Sequence, residues 1–411
     1  MTHVVIAGVS TRAAAESAAR AGFRVTAVDG YADRDQHAGV RALSLPRDFG
    51  VPFDVASAAA AAATIPADAV AYLSNFENDG AAVTLLAANR KLWGNAPAVL
   101  RRARDPLIAA ALFRAHGIRT PRLMNDSNGA NDSNDSNDSN DSNDSNDSND
   151  SNDSNEWLIK PLSSGGGHGI RRWADGEHLR RGVYLQQRID GTPGSVVFVA
   201  ASGRVAPLGV SRQLIGNRRF GATGYRYCGS ILAPATDPQF EGRERLVQTA
   251  YDLGAAAAAE LGLLGVNGVD FVARGDVPFP VEINPRWSAS IELVERACGV
   301  NAFAAHAAGC TDRTLPSAVP PPSHAAGKAI VFARHDAVVG NTDTWLRDPD
   351  IRDVPHEGDR IAAGSPVCTV FADADDAATC ESELARRADR IYRDLEPWTC
   401  TPLPPITIPD S

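Results

Sequence analysis

The residues of this chain best suited to chemistry lie in the segment Val281-Glu282-Ile283-Asn284-Pro285-Arg286. Side chains alternate along a strand, so the Glu282 carboxylate and the Asn284 amide would share one face of a short strand. Such oxygen ligands suit a hard cation like Mg²⁺. A second predicted strand covers residues 266–272, and antiparallel pairing would add Asp270 to the same face. A hairpin with an ordinary solvated polar face explains the pattern equally well at this point.

A lysine followed by a glycine-rich turn forms the second candidate group. Residues 156–161 are predicted as a strand that ends on Lys160-Pro161, and Gly165, Gly166, Gly167 and Gly169 follow. Glycine lets the backbone approach an anion and direct its N–H groups at phosphate oxygens, while a lysine supplies positive charge. The spacing differs from that of a P-loop, which needs Gly-Lys-Ser/Thr after its glycines. The pattern favours phosphate binding over a plain linker.

The elements that must position these groups begin with an α/β unit at the N-terminus. Strands are predicted at Val4–Ala7 and Arg24–Val28, with an Ala-rich helix over about 13–21 between them. This order is typical of the start of a nucleotide-binding sheet. The turn at Gly8-Val9-Ser10 does not match the G-x-G-x-x-G fingerprint. A structural Rossmann-like unit is therefore favoured, and a dinucleotide site at Gly8–Asp29 is kept as an alternative.

The composition and charge of the chain argue against several classes of protein. The 411 residues carry a formal charge of −10, but residues 125–155 contain nine Asp and no Lys or Arg, so the rest is close to neutral. A near-neutral body argues against non-specific nucleic-acid binding. No run approaches the ~20 apolar residues of a membrane span, and the N-terminus lacks a signal-peptide pattern. The six cysteines contain no Cys-x-x-Cys pair, so reduced thiols and a cytoplasmic protein are expected.

Two segments are predicted as loops. Residues 125–155 are built mainly of Asn-Asp-Ser triplets, which cannot join a core and predict a disordered insertion. Residues 216–229 are rich in Gly and carry Arg218, Arg219 and Arg226. They are read either as a solvated loop or as a lid whose arginines meet an anionic substrate.

Three features in order resemble the ATP-grasp superfamily over roughly residues 100–310: Lys160 before its glycine loop, a hinge at Gln186–Ile189, and the acidic strand pair ending in Glu-Ile-Asn-Pro-Arg. The resemblance implies an α/β protein with a Rossmann-like N-terminal domain, a two-lobed α+β ATP-grasp fold and a small C-terminal α/β extension. The implied divisions are the N-terminal domain at 1–98, a small lobe at 99–190 with the insertion at 125–155, a large lobe with Mg-binding strands at 191–313, a Pro-rich linker at 314–327 and the extension at 328–411.

The same resemblance implies the cofactors and the site. ATP would bind with one or two Mg²⁺ ions, with Mn²⁺ as an alternative ion. The implied metal ligands are Asp270, Glu282 and Asn284. Arg286 and Lys160 would act on the transferring phosphoryl group and the phosphates. The remaining nucleotide-binding residues would be Gly165, Gly166, Gly167, Gly169, Gln186, Gln187 and Ile189.

The activity implied is that of an ATP-dependent carboxylate–amine ligase, in which an acyl phosphate forms and an amine displaces phosphate. The partners would be small-molecule carboxylate and amine substrates, with no nucleic acid and no membrane, and a homodimer is an open option. Two departures stand out: Pro106 occupies the place of a first ATP-binding lysine, and Gln186-Gln187 stand where the hinge often has a glutamate. A catalytically degenerate ATP-binding protein, and an enzyme that forms a thioester or a carboxylated product, remain alternatives.

A narrower resemblance concerns four short segments. They look like a bacterial ATP-grasp subgroup associated with tetrahydromethanopterin or methanofuran one-carbon metabolism and related to tyramine–glutamate ligases. This implies a role in the biosynthesis of a one-carbon carrier cofactor. The segments are 6–13, 93–95, 104–106 and 364–370.

Overall fold

The computed structural model of the protein describes residues 1–124, 156–174 and 176–398. The Asn-Asp-Ser tract, for which the sequence predicts disorder, lies outside the described residues. The described chain is a mixed α/β structure with sheets of five, four and eight strands and a two-stranded ribbon, which confirms the predicted fold class. No helix in the described ranges is long and apolar enough to cross a membrane.

The N-terminal unit is a parallel sheet with helices. Its strands are β1 (His3–Ala7), β2 (Arg24–Asp29), β3 (Val40–Ser44), β4 (Ala69–Tyr72) and β5 (Lys91–Trp93). Its helices are α1 (Arg12–Arg20), α2 (Leu45–Asp48), α3 (Val55–Ala63) and α4 (Gly80–Leu86), and a 3-10 turn covers Phe76–Asn78. The strand order is β3-β2-β1-β4-β5. Every residue of the central β1 is buried, because a parallel sheet is covered by helices on both faces.

The next sheet is small and antiparallel. It consists of β6 (Leu123–Met124), β7 (Trp157–Pro161), β8 (Arg171–Arg172) and β9 (Val183–Gln187), in the order β6-β9-β7-β8. Before it in the chain come α5 (Pro97–Ala103) and α6 (Pro106–Ala115). These two helices pack with the large sheet instead, since Ala103, Leu112 and Phe113 share a buried cluster with Phe198 and Leu253. Residues 99–190, expected as a small lobe, thus include two helices that contribute to a buried cluster with the large sheet.

The large sheet contains eight strands. They are β10 (Thr192–Ala201), β11 (Arg204–Ile215), β12 (Tyr227–Leu232), β13 (Gly265–Arg274), β14 (Val277–Asn284), β15 (Ala325–Phe332), β17 (Ile351–Arg352) and β19 (Pro366–Ala374), in the order β14-β13-β10-β11-β12-β15-β19-β17. The ribbon pairs β16 (Ala337–Val338) with β18 (Arg360–Ile361). The remaining helices are α7 (Arg243–Leu261), α8 (Ile291–Cys298), α9 (Ala302–Thr311), α10 (Asp343–Leu346) and α11 (Ala377–Leu395), with 3-10 turns at Arg218–Phe220 and Glu396–Trp398.

The C-terminal segment is continuous with this sheet. Strand β15 pairs antiparallel with β12 and carries β19 on its other side, and α11 packs on the added strands. The expected linker at 314–327 ends early, because Ala325 already begins β15. The extension expected at 328–411 thus adds its strands to the large sheet next to β12. Short-range patterns located its strands but carried no signal for their pairing with β12.

Candidate functional site

The hairpin of β13 and β14 brings the two predicted acidic residues together. The strands pair antiparallel with Asp270 opposite Glu282 and Gly268 opposite Asn284, as the alternation predicts. A bulge beside Asp270 leaves Val281 as an extra residue in β14. Asn284 Nδ2 donates to Asp270 Oδ2 at 2.9 Å. One carboxylate from each strand and one amide thus lie side by side.

The two carboxylates differ in electrostatic setting. Burial, and then repulsion by Glu282, raise the pKa of Asp270. Burial acts in the same direction on Glu282, but the cations of Arg104 and Lys160 outweigh it and lower the pKa of that carboxyl. Arg104 is directly ion-paired with Glu282. The surroundings therefore stabilise the charged form of Glu282 and disfavour the charged form of Asp270.

This donor set fits a hard divalent cation. In the described ranges no group of three or more Asp, Glu, His or Cys residues could hold a metal, so the candidate site consists of two carboxylates and one amide. Mg²⁺ is commonly held by one or two carboxylates together with substrate phosphates and waters, so this number of protein ligands is sufficient. A cation beside Asp270 would also relieve the repulsion from Glu282.

Lys160 connects the small sheet to the large one. Its side chain at the end of β7 is buried, with 7% of the residue exposed. Nζ donates to Gln186 Oε1 on β9 at 3.1 Å and to the Val281 carbonyl on β14 at 3.2 Å. The ammonium thus lies next to the strand that carries Glu282, and it holds the Gln186 side chain.

The glycine loop is docked against the start of β12. Tyr227 N–H donates to the Gly166 carbonyl at 3.0 Å. A Cβ added to Gly167 would lie 1.9 Å from the Tyr225 carbonyl oxygen, and Gly166 and Gly167 both have positive φ. Only glycine tolerates this combination of conformation and approach. The loop therefore reaches across from the small sheet to the large sheet.

Arg286 is held by the N-terminal unit. Its Nε donates to Glu77 Oε1 at 2.7 Å, and its Nη2 donates to Asn284 Oδ1 at 3.1 Å. Glu77 is 3% exposed and lies in the 3-10 turn after β4. Sequence reasoning missed Glu77. The polar run Ser74-Asn75-Phe76-Glu77-Asn78 at the carboxyl end of a parallel strand was the available signal.

Asn95 fixes the end of β14 from the same unit. Its Nδ2 donates to the Pro285 carbonyl at 2.9 Å and to Asn267 Oδ1 at 2.7 Å, and its Oδ1 accepts from Leu264 N–H at 2.9 Å. Tyr72 Oη donates to the same Pro285 carbonyl at 3.3 Å. Asn95 is 1% exposed, so this network sets where Arg286 emerges. The sequence marked Trp93-Gly94-Asn95 only as part of a resemblance.

A cleft of about 430 Å³ lies between the small sheet and the large sheet. Gly165 and Gly169 do not line it; Gly169 instead packs near the Pro161 ring. Ser74, Ser288 and Ser290 add hydroxyl groups to its wall. The predicted site residues that line the cleft are Lys160, Gly166, Gly167, Gln186, Gln187, Ile189, Asp270, Glu282, Asn284 and Arg286.

Residues 216–229, predicted as a solvated loop or as a lid whose arginines meet a substrate, agree with the lid interpretation only in part. Arg226 donates to the Gly364 carbonyl and lies 4.1 Å from the Phe332 ring centroid, away from the cleft. Tyr225 and Tyr227 from the same segment do line the cleft. The segment therefore presents its tyrosines to the cleft, and its Arg226 is used to join the C-terminal strands.

A family model and a curated relative match parts of the chain. The family described as ATP-grasp domain matches residues 106–290. The carbamoyl phosphate synthase large chain of Myxococcus xanthus (strain DK1622) is 26% identical over 240 residues, which is 56% of this chain and 20% of that protein. The present chain thus spans about a fifth of the length of this relative.

Solved structures share the fold. An L-amino acid ligase from Bacillus licheniformis has 14% sequence identity and a TM-score of 0.63, covering 95% of this chain and 97% of the other. The biotin carboxylase of Campylobacter jejuni gives 13% and 0.64, with 92% and 89% covered. N5-carboxyaminoimidazole ribonucleotide synthetase from Thermotoga maritima gives 15% and 0.62, with 95% and 98% covered. Residues 106–290 therefore match the ATP-grasp domain family, and the chain shares its overall fold with these solved structures.

Proposed function

We propose that this protein is an ATP-dependent carboxylate–amine ligase that uses Mg²⁺ and forms a C–N bond. The observation that carries the proposal is the convergence of Lys160, the glycine loop and the Asp270–Glu282–Asn284 face on one cleft of about 430 Å³. An L-amino acid ligase with the same overall fold supports this class of product. The domain boundaries and residue roles named from the sequence are part of the proposal.

In the proposed reaction a substrate carboxylate oxygen attacks the γ-phosphorus of ATP, and the bond to ADP breaks. The amine nitrogen then attacks the acyl carbon, phosphate leaves and the nitrogen loses a proton. Bound Mg²⁺ would supply charge neutralisation between the two anions that must meet. The chain's own part is electrostatic and positional. Lys160 binds phosphate oxygens, Arg286 stabilises the transferring group, and Asp270, Glu282 and Asn284 hold the metal.

The N-terminal unit has a different task from nucleotide binding in this proposal. Asp29, at the end of β2, corresponds to the position that would bind a ribose in a dinucleotide site. Its carboxylate already accepts hydrogen bonds from Thr11 Oγ1 at 2.6 Å and from the backbone N–H groups of Thr11, Tyr31 and Ala32. The dinucleotide alternative is therefore disfavoured. The unit instead supplies Ser74 to the wall of the cleft, while Glu77 holds Arg286 and Asn95 holds the Pro285 carbonyl.

The experiment that tests the proposal is ADP release with Mg²⁺ across a panel of carboxylic acids crossed with amines. We expect ADP to appear only when an acid and an amine are both present, with amide detected by mass spectrometry. Thermal-shift screening with ATP, ADP and NAD, each with and without Mg²⁺, separates nucleotide classes. Stabilisation by NAD and not by ATP would contradict the proposal.

Two alternatives retain specific support. Pro106 replaces a family lysine, which favours a protein that binds ATP without turnover; such a protein would be stabilised by ATP but release no ADP in any pair. An acid that supports ADP release with a thiol, and not with amines, would indicate a thioester product. ADP release that requires bicarbonate in place of the acid would indicate a carboxylated product. Assignment to one-carbon carrier biosynthesis rests on the narrower sequence resemblance and stays a prediction, as do the homodimer and the cytoplasmic location.

A further inference from the structure

Arg104 lies where three parts of the molecule meet. Its Nε donates to Asn78 Oδ1 of the N-terminal unit at 3.1 Å. Its Nη2 donates to the Ser164 carbonyl of the glycine loop at 3.0 Å. Its Nη1 bonds the Glu282 carboxylate and also donates to the Ile283 carbonyl at 3.3 Å. Only 11% of the side chain is exposed.

The backbone holds this side chain in place from both directions. Arg104 is the C-cap residue of α5, with its N–H bonded to the Leu100 carbonyl at 2.9 Å. The next residue, Asp105, caps α6 by accepting from Leu107 N–H at 2.9 Å, and Pro106 occupies the first helical position. A rigid turn between two helices therefore aims a planar guanidinium, whose donors diverge in a fork, at several acceptors at once.

We propose that Arg104 is a positioning residue that links the glycine loop to the metal-binding carboxylate and shares Glu282 with the metal ion. The inference rests on the proposed function, since it takes Glu282 as a metal ligand. A fixed positive charge beside a ligand carboxylate opposes a second cation there, so Arg104 keeps metal affinity lower than Glu282 alone would give. Its bond to Ser164 orders the loop before nucleotide arrives, which favours nucleotide binding.

Arg104 thus lowers the affinity for the metal and raises the affinity for the nucleotide, so its removal should change the two affinities in opposite directions. In Arg104→Ala we expect the Mg²⁺ concentration at half-maximal stimulation of ADP binding to fall severalfold, because the competing charge is gone. In metal-free buffer the Kd for ADP, measured by calorimetry, should rise roughly tenfold, because the loop anchor is lost. A purely structural residue would weaken both quantities together.

Arg104→Lys separates the two roles further. Lysine keeps the positive charge but is a single-point donor that cannot bridge Glu282 and Ser164 with fork geometry. We therefore expect a Mg²⁺ midpoint close to wild type together with a raised metal-free Kd for ADP. Arg101→Ala is the matched control, since Arg101 is an exposed residue of the same helix, and it should leave both quantities unchanged.

Each outcome of these binding measurements either supports or contradicts the inference. A lower Mg²⁺ midpoint with weaker metal-free ADP binding in Arg104→Ala supports the inference. A raised midpoint, or an unchanged metal-free Kd, overturns it while leaving the proposed function in place. A wild-type protein that binds no Mg²⁺-nucleotide overturns the proposed function and the inference together. Thermal unfolding of each variant confirms that the comparison is made on folded protein, and Arg104→Lys serves if the alanine variant does not fold.

Discussion

Two clusters of opposite charges join the N-terminal unit to the rest of the chain, and they differ in what their carboxylates face. At the cleft, Asp270 and Glu282 line a volume of about 430 Å³. Around Arg12 the carboxylates instead face a guanidinium that is 1% exposed, with Nη2 to Glu292 at 2.6 Å and Nε to Asp353 at 2.7 Å. The cleft cluster leaves carboxylate oxygens facing an open volume, whereas the carboxylates around Arg12 are paired with its guanidinium.

The contrast extends to how each anion is stabilised. Burial would raise the pKa of Glu292, but Arg12 and Lys328 lower it to about 2, and Lys328 Nζ lies 2.7 Å from the same carboxylate. Asp270 at the cleft keeps a raised pKa. Direct pairing of Glu292 and Asp353 with a buried arginine therefore marks a structural junction, whereas a carboxylate beside open volume marks a candidate binding site.

The largest effect is expected from removing Arg12. Arg12→Met leaves the carboxylates of Glu292, Asp353 and Asp35 without their shared cation, and breaking such a buried network costs about 3–5 kcal/mol of unfolding free energy. Urea unfolding measures this. The control is Arg20→Met, because the Arg20 side chain is 43% exposed and exposed ion pairs contribute about 0–1 kcal/mol. Equal losses in the two variants would contradict the distinction between junction and surface.

At the cleft the same kind of change should affect chemistry more than stability. Glu282→Gln removes one metal-binding charge, and we expect ATP-dependent phosphate release to fall about a hundredfold or more. The protein should remain folded by circular dichroism. Glu260→Gln on α7 is the control, because the one hydrogen-bond partner described for the Glu260 side chain is the exposed His116. Wild-type turnover in Glu282→Gln would remove the metal assignment.

Sequence reasoning reached the cleft because its parts are local. Strand alternation placed Asp270, Glu282 and Asn284 on one face, and the observed register pairs Asp270 with Glu282. A lysine at a strand end followed by glycines is also a short-range pattern. The start of α6 at Pro106 follows from a capping Asp and an N1 proline.

Contacts between distant segments were out of reach. Glu77 and Arg286 are separated by 209 positions, and Arg104 and Glu282 by 178. Neither periodicity nor composition encodes such pairs, and the edge pairing of β12 with β15 is equally non-local. The positions of Gly165 and Gly169 outside the lining of the cleft were out of reach for the same reason. The sequence gives the number of glycines in the loop. The backbone conformation of Gly169 and the ring that it packs against depend on the fold.

A smaller effect is expected from the docking of the glycine loop. Gly167→Ala would force a Cβ to 1.9 Å from the Tyr225 carbonyl, whereas a Cβ at Gly166 meets nothing within 4 Å. Both positions have positive φ, so Gly166→Ala controls for backbone strain. We expect Gly167→Ala to raise the KM for ATP about tenfold more than Gly166→Ala, because the loop cannot reach β12. Similar KM values would show that docking plays no part in nucleotide binding.

The smallest effect tests the Arg12 cluster from within, through Asp33. Its Oδ2 is buried with no hydrogen-bond partner among the described residues. Burial, and then repulsion by Asp353, raise the pKa of Asp33 well above its usual range. An acid with a raised folded-state pKa is protonated in the folded protein at pH values where the unfolded chain has lost the proton. Its ionisation therefore lowers stability as pH rises.

Asp33→Asn should thus stabilise the protein by on the order of 1 kcal/mol at neutral pH, with a gain that shrinks toward pH 4. Glu292→Gln should behave oppositely. The pKa of Glu292 is about 2 against an ordinary 4.5, so its stabilisation is present above pH 4.5 and is lost as pH falls toward 2. Urea unfolding of both variants between pH 3 and 8 measures the two slopes, with the exposed Asp252→Asn as control. If the stability changes of both variants depended on pH with the same sign, the Arg12 cluster would not stabilise the charged form of Glu292 while destabilising that of Asp33. The contrast with the cleft would then lose its physical basis.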